Sequence, residues 1–371
     1  MTVESHVLSR YAAGAKARQE DLCCPVDYDR DLLKPLPQEI IDKDYGCGDP
    51  SRYVRQGDVV LDLGSGSGKI CYMAAQLVGP EGRVIGVDMN DAMLALARKY
   101  QREMAEKLGG DRVRFVKGLI QDLALDLEAL DRRLAEHPVT SHEDLLRLKA
   151  WQAEQKRQRP LIGDASVDLV ISNCVLNLVD DGDKRRLFGE IFRVVKPGGR
   201  IAISDIVCDE PVPETLKQDP ELWSGCISGA MTETDFIQGF VDAGFAAVRI
   251  DKWGDEPWRV IDGIEFRAVT VTAVKPEDSP CLDYGHAVIY KGPFEKVFDD
   301  EGYVFCRGQR MAVCERTFRF LTQGPMKNDF IGIAPANPGE GRPWCAPAGT
   351  LRPAAETKGG TSHGGTAGSC C

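Results

Sequence analysis

Residues 59–88 read VVLDLGSGSGKICYMAAQLVGPEGRVIGVD, and the rest of the chain is organised around them. The apolar run VVLDLG (59–64) predicts a strand. It breaks into Gly64, Gly66 and Gly68 alternating with serines, and a helix-forming stretch over 67–78 follows. A second strand, RVIGVDM (83–89), ends on Asp88, twenty residues past Gly68. Glycines between a strand and a helix let the backbone turn tightly and approach a nucleoside closely. An acidic residue at the end of the next strand is placed to accept hydrogen bonds from ribose hydroxyls. A dinucleotide needs G-x-G-x-x-G spacing, so that its pyrophosphate meets the helix N-terminus. Here the spacing is G-x-G-x-G, with Asp62 two residues ahead of it. The segment therefore predicts an adenine nucleoside cofactor, with a nicotinamide dinucleotide as the lesser alternative.

Working outward, further strands are expected at VRFVKG (113–118), VDLVISN (167–173) and GRIAISDIV (199–207). Helices are expected at 91–108, at 183–195 (stopped by KPGG) and around 232–243. Strands alternating with helices imply an α/β, Rossmann-like, mostly parallel sheet covered on both faces. AAVRIDKW (246–253) and EFRAVTVTAVK (265–275) read as a strand and its antiparallel return. This divides the chain into a leader or cap (1–50), a cofactor domain (51–207) and a region over the acceptor with the last strands (208–275). A small β-rich unit (276–330) and a flexible Gly/Pro-rich tail (331–371) follow. Residues 119–160 interrupt the rhythm with a charged, helix-prone insertion read as a solvent-facing hairpin.

Composition narrows the function. The 371 residues carry 46 Lys+Arg against 57 Asp+Glu, a net charge of −11. No basic face or stripe marks a nucleic-acid partner, and no apolar run reaches the roughly 18 residues of a membrane helix. The N-terminal twenty residues lack the apolar core of a signal peptide, so a cytoplasmic protein is expected. Thirteen cysteines are about 3.5% of the chain, well below the roughly 8–10% of a disulfide scaffold. In a reducing compartment such thiols stay unpaired unless they bind metal or do chemistry.

Topology sorts them. Ligands bind outside the carboxyl ends of the strands in open α/β sheets. Cys71 follows the glycine loop in the first helical turn, Cys174 follows VISN, and Cys226 lies in LWSGCISGAM after the fifth strand. Cys47, in YGCGDP, precedes the sheet. A helix N-terminus lowers a thiol's pKa, which predicts partial thiolate character for Cys71. Thiolates clustered on the cofactor edge could react as nucleophiles themselves, or could hold a soft trivalent ion. Zinc-type Cys-x-x-Cys spacing is absent. Cys208, Cys281, Cys306, Cys314 and Cys345 are read as ordinary small core residues. The pairs Cys23–Cys24 and Cys370–Cys371 lie in segments expected to be flexible.

The loop resembles the S-adenosylmethionine loop of class I methyltransferases, in which Asp62 lies near the amino acid end of the cofactor. More specifically, YGCG (45–48), LDLGSGSGKICY (61–72), VIGVDM (84–89), ISNCVLNLV (171–179), RVVKPGGRIAISDI (193–206) and LWSGCISGA (222–230) resemble the arsenite S-adenosylmethionine methyltransferases. The 119–160 insertion and Cys23–Cys24 lie outside that pattern. The resemblance implies a class I methyltransferase sheet in which Asp62, Gly64, Ser65, Gly66, Gly68, Asp88, Met89 and Asn173 position S-adenosylmethionine. It implies that Cys174 and Cys226 hold As(III) from arsenite or methylarsenite, with Cys71 as a third, redox-active thiol. Cys47 would form a transient disulfide with Cys71 or help to deliver the acceptor. Thioredoxin or glutathione would restore the thiols. Arsenic's lone pair needs no general base, and the five histidines lie outside the core strands. Two other readings fit the residues: a methyltransferase of a small thiol or other organic acceptor, and a thiol-based metalloid or redox sensor.

Overall fold

The computed structural model describes residues 3–19, 26–336, 338–344 and 346–358. Cys23, Cys24, Cys345, Cys370 and Cys371 lie outside them. The chain divides into two compact units, Met1–Pro276 and Glu277–Cys371.

The first unit opens with α1 (Val3–Lys16), α2 (Arg30–Leu33) and α3 (Gln38–Asp42). The sheet starts at β1 (Val59–Leu63), followed by α4 (Lys69–Leu77), β2 (Arg83–Asp88), α5 (Asp91–Lys99), α6 (Gln101–Leu108) and β3 (Val113–Lys117). Residues 119–160 carry α7 (Leu127–Glu136) and α8 (His142–Gln158), which bury none of their residues. Then come β4 (Val167–Asn173), α9 (Asp181–Val194), β5 (Val195–Cys208), α10 (Glu214–Lys217), α11 (Pro220–Ser224), β6 (Met231–Thr232), α12 (Glu233–Asp242), β7 (Ala246–Trp253), β8 (Arg259–Ile261) and β9 (Ile264–Val274). The main strand order is β3-β2-β1-β4-β5-β9-β7, with β6 on β5 and β8 on β9. β3, β2, β1, β4 and β5 are parallel, and β9 runs antiparallel between β5 and β7. The sheet is thus Rossmann-like, with the expected antiparallel return.

Both faces are covered, as a parallel sheet requires. Leu61 and Leu63 pack with Leu187 and Ile191 of α9 and Phe236 and Phe240 of α12. The alternate residue Val60 packs on the opposite face with Met73 and Ala74 of α4 and Leu94 of α5. This period of two along β1 is what a strand buried on both sides demands. Two helix expectations need correction. The helix over 91–108 breaks at Tyr100, where α5 ends and α6 begins. KPGG is no gap between helix and strand, because β5 already starts at Val195. The register on β4 jumps from Val167↔Val195 to Leu169↔Arg200, so the turn bulges out of the strand, with Gly198 at φ +76°.

The second unit has β11 (Ala287–Tyr290) between β14 (Arg310–Ala312) and β15 (Phe330–Ile333), and β12 (Lys296–Phe298) on β13 (Val304–Cys306). One helix, α13 (Glu315–Gln323), packs with them, and β10 (Leu282–Asp283) pairs with β16 (Arg342–Pro343). Arg352 donates to Asp283 at 2.6 Å. The 331 boundary of the expected flexible tail is therefore too early: Gly- and Pro-rich chain still folds back through backbone pairing and this ion pair.

Candidate active site

A cavity of about 940 Å³, open to solvent, lies at the carboxyl ends of β1, β2 and β4. Asp62, Gly64, Ser65, Gly66, Asp88, Met89, Asn173 and Cys174 all line it. Gly68, Cys47, Cys71 and Cys226 do not.

The glycines act differently. Gly64 (φ +67°) leaves room for Val175, whose side chain a Cβ would meet at 2.4 Å. Gly66 (φ +50°) has nothing nearer than 4.0 Å, so its bare backbone faces open cavity. Gly68 (φ +86°) closes on Phe115, 2.8 Å from where a Cβ would stand, and serves helix–sheet packing. The Gly66 N–H donates to Asp88 at 2.9 Å, and Asn90 N–H donates to the same carboxylate at 2.8 Å. Ser65 Oγ is buried with no protein partner. An orphaned hydroxyl, an uncovered glycine and a carboxylate at the strand end are what a ribose- and amino-bearing ligand would satisfy, so these residues fit S-adenosylmethionine.

Asn173 is committed elsewhere. Its Oδ1 accepts from Cys47 N–H (2.9 Å) and Gly48 N–H (3.0 Å), and its Nδ2 donates to Gly48 O (2.8 Å) and Tyr28 OH (3.2 Å). It fastens the YGCG segment onto the end of β4. A Cβ at Gly46 or Gly48 would strike Asn173 or Ser204, so both glycines serve this close approach.

Cys71 departs from expectation. It is fully buried, and its thiol donates to Asp62 at 3.2 Å. Burial and the adjacent carboxyl push the thiol well above its ordinary range, overriding the helix N-terminus. Burial likewise raises Asp62 to about 8. Burial thus favours the protonated thiol at Cys71 over the thiolate that its place at the helix N-terminus suggests. Cys71 belongs to the core beneath α4, whereas Cys47, Cys174 and Cys226 share a different apolar cluster.

What converges instead is Cys174, Cys226 and Asp205, all buried, with sulfur and carboxylate atoms within 4.8 Å of one another. The expected three-sulfur set is not assembled, because Cys71 lies outside this group. Cys174 (φ +65°) and Cys226 (φ +61°) both adopt left-handed backbone, which costs a non-glycine residue about 1–3 kcal/mol and persists only where the surroundings enforce it. They do so here. Cys174 N–H donates to Ser204 O at 2.7 Å, and Cys226 Sγ donates to Cys174 O at 3.0 Å. Asn177 Nδ2 donates to Ile206 O (2.6 Å) and Cys226 O (3.3 Å), joining the β4 and β5 ends to the acceptor loop. Gly229 passes so close to Asn177 O that a Cβ would stand 2.0 Å from it. Asp205 Oδ2 accepts from Leu176 N–H at 2.8 Å, and burial raises its carboxyl to about 6.

Tyr11 completes the group. It hydrogen-bonds Cys226, and burial followed by the two neighbouring sulfurs drives its phenol well upward. Its helix, α1, roofs the cavity with Glu4, Val7 and Leu8. Arg10 anchors α1 to Glu221 O (2.6 Å) and Ser224 Oγ (2.8 Å), and Asn90 holds Leu8 O at 2.9 Å. Neither Tyr11 nor Asp205 was marked by sequence reasoning. Asp205 sits visibly in SDI at a strand end, but a tyrosine in a polar leader gives no signal.

Comparison with known proteins identifies the fold and family. Residues 55–137 and 146–253 match the model of a methyltransferase domain. A curated arsenite methyltransferase from Aquipseudomonas alcaligenes is 32% identical over 330 residues, 84% of each chain. This chain belongs to the arsenite methyltransferases. The mouse arsenite methyltransferase is 30% identical over 82% of this chain and 74% of its own. The crystal structure of CrArsM, an arsenic(III) S-adenosylmethionine methyltransferase from Chlamydomonas reinhardtii, is 29% identical with a TM-score of 0.56, covering 87% of this chain and all of that one. S-adenosylmethionine is therefore the cofactor of this methyltransferase. The interval 146–253 resumes inside α8, so the family model passes over part of the insertion. Residues 277–362 of the same methyltransferase match a domain of unknown function (DUF8838). No described helix is long and apolar enough to cross a membrane.

Proposed function

We propose that this arsenite methyltransferase receives arsenite or methylarsenite as thiol conjugates on a two-sulfur site, Cys174 and Cys226. Bound S-adenosylmethionine supplies an electrophilic methyl group. The observation that carries the reading is the pair of left-handed cysteines whose sulfurs converge beside Asp205, with Cys174 at the cavity wall. Strain at two thiol-bearing residues is a functional feature, since glycine would relieve it.

The chain's task is alignment. Arsenic offers a lone pair without deprotonation, so holding it in line with the cavity is the main source of rate. Gly64, Ser65 and Gly66 supply backbone and hydroxyl contacts to the cofactor. Asp62 and Asp88 supply carboxyl groups, with Met89 beside them. Gly68 and Asn173 support this surface through packing and through the YGCG segment. The roof of α1 lines the cavity, with Tyr11 beside the sulfurs.

Adding a methyl cation to arsenic's lone pair leaves the product two electrons short of the trivalent state. Two thiols closing to a disulfide supply both electrons and release two protons. The family resemblance assigns that role to Cys71 and Cys47, which lie in separate apolar clusters and would have to approach each other, with thioredoxin or glutathione restoring them by exchange. A reducing cytoplasm suits this cycle. The test is product analysis with labelled cofactor, arsenite and a thiol reductant. Labelled methylarsenic supports the reading, and label appearing on no arsenic species overturns it.

A further inference from the structure

Asp205, near the end of β5, is fully buried. An ionised carboxylate accepts about four hydrogen bonds. Backbone takes three of these positions. Ile206 N–H donates to Oδ1 at 2.8 Å, and Leu176 N–H (2.8 Å) and Asn177 N–H (3.4 Å) donate to Oδ2. These bonds lock the side chain against the turn after β4 and leave one acceptor position over. The same carboxyl stands with the sulfurs of Cys174 and Cys226 in a cluster no wider than 4.8 Å. Capping a turn explains why this group is buried, but not why it faces both thiols.

The chemistry of trivalent arsenic gives that place a use, on the reading that Cys174 and Cys226 hold it. With As(OH)3, two As–S bonds form, two S–H and two As–O bonds break, and two waters leave. One hydroxyl stays on arsenic, which remains trivalent. An O–H···O contact takes about 2.7 Å, so the cluster has room for this hydroxyl beside the carboxylate. Methylarsenite, CH3As(OH)2, loses both hydroxyls in the same exchange and keeps a methyl group in the third position. We propose that Asp205 is a specificity-determining residue: it accepts a hydrogen bond from the hydroxyl left on arsenic, and so favours arsenite over methylarsenite.

Two sulfurs alone leave arsenic free to swing about the line that joins them. A third fixed substituent removes that freedom and, at a pyramidal centre, sets the direction of the lone pair. Alignment for in-line transfer is then built in. A methyl group in that position has no proton to donate, and the last acceptor of a buried carboxylate goes unmet. A site built to bind a hydroxyl discriminates strongly against an analogue that lacks it, because its own polar group is left unpaired. The first methyl transfer is therefore the favoured one.

Initial rates on the full-length chain with S-adenosylmethionine give kcat/KM for arsenite and for methylarsenite separately. The reductant is a trialkylphosphine, so that no added thiol takes the third position on arsenic. The readout is the ratio of the two values, from which any loss of folded enzyme cancels. D205A should lower the arsenite-to-methylarsenite ratio by roughly a hundredfold. D205N keeps the size but offers a neutral acceptor, and should lower the ratio by roughly tenfold. It decides alone if D205A does not fold. A ratio within twofold of wild type in a folded variant overturns the proposal and leaves Asp205 a turn cap. Arsenite methylation undiminished in C174S/C226S would instead sink the two-sulfur site on which this inference rests.

Discussion

The donor end and the thiol end of the cavity are built by different means. The donor end is one continuous segment, Asp62 to Gly68, plus the end of β2, and its geometry follows from local spacing. The thiol end gathers Tyr11, Cys174, Asp205 and Cys226 from four places spread over more than two hundred residues. Strained backbone and buried hydrogen bonds hold it together. The first tolerates the loss of a contact, because several groups share one ligand. The second concentrates its chemistry in two sulfurs.

The largest expected effect follows from that concentration. Cys174→Ser and Cys226→Ser should each lower arsenite methylation by roughly a thousandfold, about 4 kcal/mol of barrier, with cofactor affinity within about twofold by calorimetry. A comparable loss of cofactor binding would erase the contrast between the two ends.

At the donor end the glycines should separate. Gly66→Ala puts a methyl where only cavity stands and should weaken S-adenosylmethionine binding by about tenfold, or 1.4 kcal/mol. Gly68→Ala meets Phe115 and should lower the melting temperature more than it lowers affinity. Equal effects on both quantities in both variants would show that the loop glycines share a single role.

A pH effect of up to tenfold per unit is expected from Asp62. Its carboxyl titrates near 8 in the ligand-free chain because burial disfavours the charge. A cationic amino group favours the carboxylate, so binding expels a proton and affinity should rise with pH until about 8. Asp62→Asn should flatten the profile. The same shift means that the ligand-free fold loses stability as pH climbs from 3.8 towards about 8, and the asparagine variant should lose less.

The smallest effect is on stability. Cys226→Gly removes a left-handed strain of about 1–3 kcal/mol and should unfold within about 1 kcal/mol of wild type, or above it, while losing activity. A clear drop in stability would make the conformation ordinary packing.

What the sequence disclosed matches this division. The glycine loop, Asp88, the parallel strands and the antiparallel return were legible because periodicity and spacing are local. Cys174 and Cys226 were legible once topology set them at one edge. Asp205 and Tyr11 were not, because their importance arises only when β5 and α1 fold against the sulfurs. Cys71 misled for a related reason. Its place at a helix N-terminus is visible in sequence, but the carboxyl of Asp62 buried against it is not.

X-ray absorption at the arsenic edge tests the central claim most directly. With arsenite bound to the reduced chain, the account predicts two sulfur neighbours and one oxygen, both sulfurs lost in C174S/C226S and both retained in C71S. Three sulfur neighbours falling to two in C71S would contradict it.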